Sequence, residues 1–240
     1  MNEPVVLITG ASRGLGAALA REWAARGARL LLTARSERPL RELVDELSRQ
    51  TDVVFGAIDV TDDLGMREFV TRGLREFGRI DVLVNNASTL GGSPMPRLSD
   101  LTPSAFFEVM ETNVRAPLAI AQCVLPHMQA QGGGVIVNVS SDAAVNAYPG
   151  WGAYGSSKAA LEHLSRILAA ELEASGITVL VLDPGNMDTQ MHRDAEPGED
   201  LSSLPKPQAV APPFVDAVMR AAVEHEAYAR REVQSVVSGV

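Results

Sequence analysis

Tyr154 and Lys158 stand four residues apart in the run Tyr154-Gly155-Ser156-Ser157-Lys158. On a helix, which the pattern predicts through about Ser175, that spacing puts a phenol and an ammonium on one face, one turn apart. A nearby cation favours the phenolate and lowers the phenol's pKa. That would bring a reluctant acid closer to the operating pH, where proton transfer is most effective. The pair is a candidate for moving a proton on and off an oxygen atom. The same spacing occurs on helices as packing plus a solvated charge, so the rest of the chain has to supply the partners.

The first partner is a glycine-rich turn. Val5 to Thr9 is a nearly continuous apolar run, which suits a strand buried on both faces. It ends in Thr9-Gly10-Ala11-Ser12-Arg13-Gly14-Leu15-Gly16, and a helical pattern follows to about Arg26. Strand, glycine turn and helix together are the context in which such a motif reads as a nucleotide site. Gly10 permits a tight turn, Gly14 lets the backbone approach a pyrophosphate, and Gly16 lets the helix pack close to the sheet. The pyrophosphate would sit on the free N–H groups at the helix start.

A second buried strand, Ala28 to Thr33, runs into Ala34-Arg35-Ser36. An acidic residue here would bind the adenosine ribose hydroxyls and favour NAD; an arginine accommodates a 2′-phosphate. Arg35 and Ser36, with Arg13 in the glycine turn, predict NADP(H), with NAD(H) the less favoured option.

The remaining pattern alternates. A helix over Glu37 to Gln50, a strand over Val53 to Ile58, a helix capped by Asp62 and running to about Phe77, and a strand over Asp81 to Val84 follow in order. Such alternation predicts right-handed βαβ units and a parallel sheet. Thr102 and Pro103 open a long helix to about Gln131, with Pro117 inside it as an expected kink and Asn113 just upstream. Val135 to Val139 predicts a fifth strand with Ser140 and Ser141 at its end, and Ile177 to Leu182 a sixth. Met187 to Pro207 reads as a lid-like segment, Phe214 to Glu226 as a helix and Arg231 to Val237 as a final strand. No linker divides the chain, so the expectation is a single doubly wound α/β domain over residues 1–240.

These pieces, in this order and spacing, resemble the short-chain dehydrogenase/reductase family over nearly the full length. The matching residues are the Thr9–Gly16 turn, Asp59, Asn85-Asn86-Ala87, Asn113, Ser141, Tyr154 with Lys158, and Pro184-Gly185. The resemblance implies a seven-stranded parallel sheet with helices on both faces, a Rossmann-type fold, with the cofactor across the C-terminal strand edge. It implies a cofactor set of Gly10, Ser12, Arg13, Gly14, Leu15, Gly16, Arg35, Ser36, Asp59, Val60, Asn86, Ala87, Ser88, Pro184, Gly185, Met187 and Thr189, joined by Tyr154 and Lys158. The implied catalytic set is Asn113, Ser141, Tyr154 and Lys158. Tyr154 would exchange the proton, Ser141 would hydrogen-bond the substrate oxygen, Lys158 would tune Tyr154 and hold the nicotinamide ribose, and Asn113 would hold a relay water. The family's spacing selects Ser141 over Ser140. Ser88 departs from the family, which often has glycine there. Family members commonly pair, which implies a homo-oligomer, a dimer or tetramer.

Composition narrows the classes. A net charge of −9, spread along the chain, argues against a general nucleic-acid binder. The four histidines and the single Cys123 show no metal-ligand spacing. Cys123 permits no intrachain disulfide and reads as a small buried hydrophobe in a reducing compartment. There is no signal-peptide pattern after Met1 and no apolar stretch of bilayer length, so the expected location is cytoplasmic, with no membrane partner. The predicted activity is hydride exchange between NADP(H) and a small carbonyl or alcohol. The alternative is a catalytically silent dinucleotide-binding redox sensor, and the complete Asn-Ser-Tyr-Lys set separates the two, because a sensor has no chemical use for it. Leu90, Gly91, Tyr148, Trp151, Met187 and Met191 are candidate pocket residues, equally consistent with packing.

Overall fold

Runs of apolar, β-branched residues with no polar face must be covered on both sides. In the computed structural model, which describes residues 3–224 and 228–232, such runs form Val5–Thr9 (β1), Arg29–Ala34 (β2), Val53–Ala57 (β3), Val82–Asn85 (β4), Gly134–Val139 (β5) and Ile177–Asp183 (β6), and the more polar Tyr228–Glu232 (β7) joins at the edge beside β6. The sheet has seven strands in the order β3-β2-β1-β4-β5-β6-β7, and every pairing is parallel. The last strand begins at Tyr228 rather than Arg231; positions 233–237 of the expected strand lie outside the described residues.

Helices fill both faces: Gly14–Ala25 (α1), Glu37–Leu47 (α2), Asp63–Phe77 (α3), Pro103–Met110 (α4), Ala116–Ala130 (α5), Gly152–Glu171 (α6), Gln190–Ala195 (α7) and Pro207–Glu224 (α8). The two-residue period of a strand sends Val6 and Ile8 to one core, with Trp23, Leu40 and Phe214 from α1, α2 and α8. Val5 and Leu7 go to the other, with Phe69 and Val124 from α3 and α5. The helix α8 starts earlier than the expected Phe214 because it runs through Pro212 and Pro213. Pro207 takes its first position, where a missing N–H costs nothing. Position 226, the expected end of that helix, lies outside the described residues.

Caps fall where the sequence put them. Asp62 accepts from the Gly65 N–H at 3.0 Å, and Thr102 from the Ala105 N–H at 3.2 Å. Two features then shape the site. The chain leaves the β3 edge and re-enters beside β1 as β4, and such a switch point opens a crevice at the C-terminal strand ends. The long helix around Pro117 is also broken into three parts, with a π-helical turn over Glu111–Arg115 between α4 and α5. Pro117 has no N–H to give the carbonyl of Asn113, and the helix widens there instead of continuing straight. Among the described residues no helix is long and apolar enough to cross a membrane, and no group of three or more His, Cys, Asp or Glu could hold a metal ion. Cys123 is half-buried rather than buried.

Candidate active site

A cleft of about 480 Å³ runs along the C-terminal ends of the strands. At one end lies the turn after β1. Gly10 has φ +67°, and a Cβ on it would stand 2.9 Å from the Ala87 Cα. A Cβ on Gly16 would stand 2.3 Å from the Gly10 carbonyl oxygen and 2.6 Å from Asn86 Nδ2, so this position lets the first turn of α1 lie tight against the residues that follow β1 and β4. The end of β4 pins this turn. The Thr9 hydroxyl accepts from the Asn86 and Ala87 N–H groups at 3.1 and 3.0 Å, while Asn86 Nδ2 donates to the carbonyls of Thr9 and Gly10 at 2.9 and 3.2 Å.

Three observations fit a dinucleotide to this end. The helix α1 has no side-chain cap and no acidic residue in its first turn, which leaves its N–H groups and positive dipole end to an anion. Arg13, Arg35 and Ser36 line the wall beyond it. Arg35 is exposed, 3.9 Å from Asp59 in a long, weak pair, so its guanidinium is available to a phosphate.

The other end brings Ser141, Tyr154 and Lys158 together. The helix α6 opens just after Trp151 and buries both Tyr154 and Lys158. Lys158 Nζ lies 5.4 Å from the Tyr154 ring centre and donates to the Val139 carbonyl at 2.8 Å. Ser141, just beyond β5, accepts from the Ala143 N–H at 3.2 Å and donates to Asp142 Oδ1 at 3.1 Å.

The expected direction for the phenol does not hold in this state. Burial pushes the Tyr154 phenol well above its ordinary value; hydrogen bonds with Ser141 and Ser88 work the other way, and Asp183 and Asp142 add to the rise. Lys158, buried as well, does not offset that rise. Burial brings its own pKa down to about 8, against the pull of the Asp183 and Glu162 carboxylates. Spacing alone showed the cation but not the desolvation of both groups.

Ser141, Tyr154 and Lys158 line the cleft, and so do all the expected cofactor residues except Gly16. Gly16 stands behind the wall against Gly10. Asn113 is also absent from the wall: it is buried in the π-helical turn. Its Oδ1 accepts from the Ser88 hydroxyl and the Thr89 N–H at 3.1 and 2.8 Å, and its Nδ2 donates to the Thr89 carbonyl and Ser157 Oγ at 2.9 and 3.0 Å. Its side chain thus ties the loop after β4 to α6. Ser140 turns inward, donating to the buried Glu162 carboxylate at 2.6 Å.

Leu90, Gly91, Trp151, Met187 and Met191 line the far end, whereas Tyr148 stands outside the wall and packs on Trp151. Thr112, Asp142, Asn186 and Gln190 also line the cleft and were not anticipated. Thr112 is brought there by the π-helical turn, and Asn186 and Gln190 by the segment after Pro184-Gly185. Asp142 alone had a legible signal, its place next to Ser141.

Comparison with known proteins agrees with this layout. Residues 4–200 match the family model described as short chain dehydrogenase. The 2-(R)-hydroxypropyl-CoM dehydrogenase of Xanthobacter autotrophicus is 36% identical over 93% of this chain and 93% of that protein. A solved structure from Pseudomonas syringae, assigned as a short chain dehydrogenase, is similar with a TM-score of 0.89 at 32% identity, covering 97% of each chain. Another, from Escherichia coli CFT073 in complex with NADPH, has a TM-score of 0.87 at 27% identity and covers 98% of each chain. The chain belongs to the short-chain dehydrogenase/reductase family and is an oxidoreductase of that family.

Proposed function

We propose that this protein is an NADP(H)-dependent carbonyl reductase or alcohol dehydrogenase in which Tyr154 is the general acid and base. The observation that carries the reading is the Tyr154 phenol, buried at the cleft wall that Ser141 and Ser88 also line, one helical turn from Lys158. When bound, the nicotinamide supplies or takes up hydride. In reduction Tyr154 gives its proton to the carbonyl oxygen; in oxidation it takes one from the alcohol. The raised pKa keeps Tyr154 protonated through the neutral range, the form reduction needs. Ser141 turns its hydroxyl to the same oxygen and steadies its developing charge, an effect worth about 3 kcal/mol in a dry site. Lys158 holds the cofactor's ribose and restores the proton to Tyr154. Asn113 supports the set from behind, where its backbone carbonyl in the widened turn is the candidate holder of a relay water.

NADP(H) is favoured over NAD(H) by Arg35, Ser36 and Arg13 at the adenosine end and by the NADPH complex of a similar protein. The segment from Met187 to about Pro207, with α7, is read as a lid over the substrate end of a single-domain enzyme. Exposed Leu64, Phe107 and Ile167 on α3, α4 and α6 support a homo-oligomer.

The test is Tyr154→Phe. NADPH binding is expected within a few-fold of wild type, with carbonyl-dependent NADPH oxidation lowered by about 10²-fold or more. Full activity in that variant would sink the mechanism. A wild type that binds NADPH but turns over no member of a broad carbonyl and alcohol panel would favour the silent sensor.

A further inference from the structure

The substrate end of the cleft has a one-sided charge. Asp142 lies on its wall directly beside Ser141, and Asp194 lies on the wall at α7. The basic side chains on the cleft wall are Arg13 and Arg35, at the phosphate end, and Lys158, committed to the Val139 carbonyl. His192 is on the wall with its ring on Glu196. Arg193 and Lys206, the basic residues of the lid segment, are both paired with Asp188 and stand off the wall. Among the described residues, an anionic substrate would therefore meet carboxylates, with Lys158, the ammonium assigned above to the cofactor's ribose, as the one cation near Tyr154.

An aromatic surface adjoins Asp142. Tyr148, Trp151 and Tyr154 follow one another with ring centres 5.7 Å apart at each step. Tyr148 donates its hydroxyl to Asp142 Oδ2 at 2.6 Å, and the half-exposed Trp151, on the cleft wall, packs between the Tyr148 and Tyr154 rings. A carboxylate next to aromatic faces is the chemistry that holds ammonium groups. We infer that the substrate is a carbonyl compound bearing a protonated amine, or the corresponding amino alcohol, with its ammonium beside Asp142 and against Trp151. This rests on the carbonyl–alcohol reading above and adds the substrate class.

Three methyl ketones of one chain length test it, ending in a dimethylamino group, an isopropyl group or a carboxylate. With NADPH, kcat/KM for the amine is expected to exceed that for the carboxylate about tenfold or more, a partly exposed charge contact counted once as attraction and once as repulsion. Asp142→Asn removes the charge and keeps one acceptor oxygen, its amide N–H₂ donating to the other of the Tyr148 and Ser141 hydroxyls, and should bring that ratio to within about threefold of unity. A bracing role alone would lower all three ketones together and leave the ratio alone. Tyr148→Phe removes the phenol partner but keeps the charge, and should keep the ratio.

A second readout needs no turnover. Trp23 is buried in the core, so ligand-dependent tryptophan emission reports on Trp151. In the NADP⁺ complex the dimethylamino alcohol should change that emission and the hydroxy acid should not, and the change should be lost in Asp142→Asn. Binding of the amine without reduction of any ketone would overturn the redox reading and leave the charge selectivity standing. Reduction with no preference for the amine, or no Asp142-dependent preference in either assay, overturns the inference.

Discussion

Lys158 lies 5.4 Å from the centre of the Tyr154 ring yet gives its ammonium to the Val139 carbonyl, 2.8 Å away. One backbone acceptor does not replace the water lost by a buried ammonium, and burial lowers the Lys158 pKa from 10.5 to about 8. That fall corresponds to about 3 kcal/mol against the charged form. The folded pKa lies below the unfolded one, so the cost is fully present below about pH 8, where both states hold the proton. It fades as pH rises towards 10.5, where only the unfolded chain still binds it. Lys158→Met is therefore expected to lose turnover and to unfold, without cofactor, later than wild type at pH 7. The gain should be up to about 3 kcal/mol, less the Val139 hydrogen bond, and should vanish near pH 10. Denaturant midpoints at the two pH values measure this, and a less stable variant at pH 7 would contradict it.

In the proposed mechanism the same two groups set the pH dependence of the two directions. Reduction there needs Tyr154 with its proton and Lys158 charged. The phenol is pushed up by burial and keeps its proton across the neutral range, so Lys158 is the group that limits. Reduction should be flat below about pH 8 and decline above it as Lys158 loses its charge. Oxidation needs Tyr154 to accept a proton, so its rate should climb with pH as the phenol begins to ionise. Profiles of kcat/KM in both directions check this; reduction that climbs through pH 8 and beyond would assign the limiting group elsewhere.

Much of this site is legible without coordinates, for definite reasons. The residues at strand ends sit where apolar runs stop, so Ser141 after β5 and Arg35 after β2 can be located by reading where burial must end. Pro117 announces the widened turn at Asn113 because a missing N–H is a property of one residue. The sign of the Tyr154 shift was not legible, since it depends on how much water the assembled elements exclude from the phenol. Nor was the far wall: Thr112, Asn186 and Gln190 reach it through a helix defect and an irregular segment, neither of which carries a period. The early start of α8 was hidden by prolines that a pattern reader takes as breaks.

Arg35 and Asp59 face each other 3.9 Å apart with both side chains largely exposed, so the pair contributes little to the fold. Arg35→Asp should leave the melting temperature nearly unchanged while removing the guanidinium proposed to meet a 2′-phosphate. The new carboxylate would repel that phosphate and accept from a ribose hydroxyl. The Kd for NADPH should rise by about 10-fold to 10²-fold, and that for NADH should fall or hold, so preference shifts towards NAD(H). Titration with both cofactors measures it. A wild type that already binds NADH more tightly than NADPH would remove the basis for the cofactor assignment.

Gly16 tests how the turn before α1 is held. Its added Cβ would stand 2.3 Å from the Gly10 carbonyl oxygen, 2.6 Å from Asn86 Nδ2 and 2.9 Å from the Gly10 carbonyl carbon. Two of these are backbone atoms of a turn pinned by Thr9 and Asn86, so nothing flexible can yield. At Gly14 the added Cβ would meet only Thr189 Cγ2, at 3.9 Å, and the cost there comes from φ +56°. Gly14→Ala should cost about 1–2 kcal/mol by backbone strain and leave the Gly10 carbonyl in place. Gly16→Ala should cost about 1–3 kcal/mol by overpacking and also displace the Gly10–Asn86 contact that shapes the anion end of the cleft. Its NADPH affinity should therefore fall further than its stability predicts, by more than that of Gly14→Ala. Equal affinity losses in the two variants, measured beside their unfolding midpoints, would mean that the close approach of Gly16 to Gly10 does not shape the cofactor site.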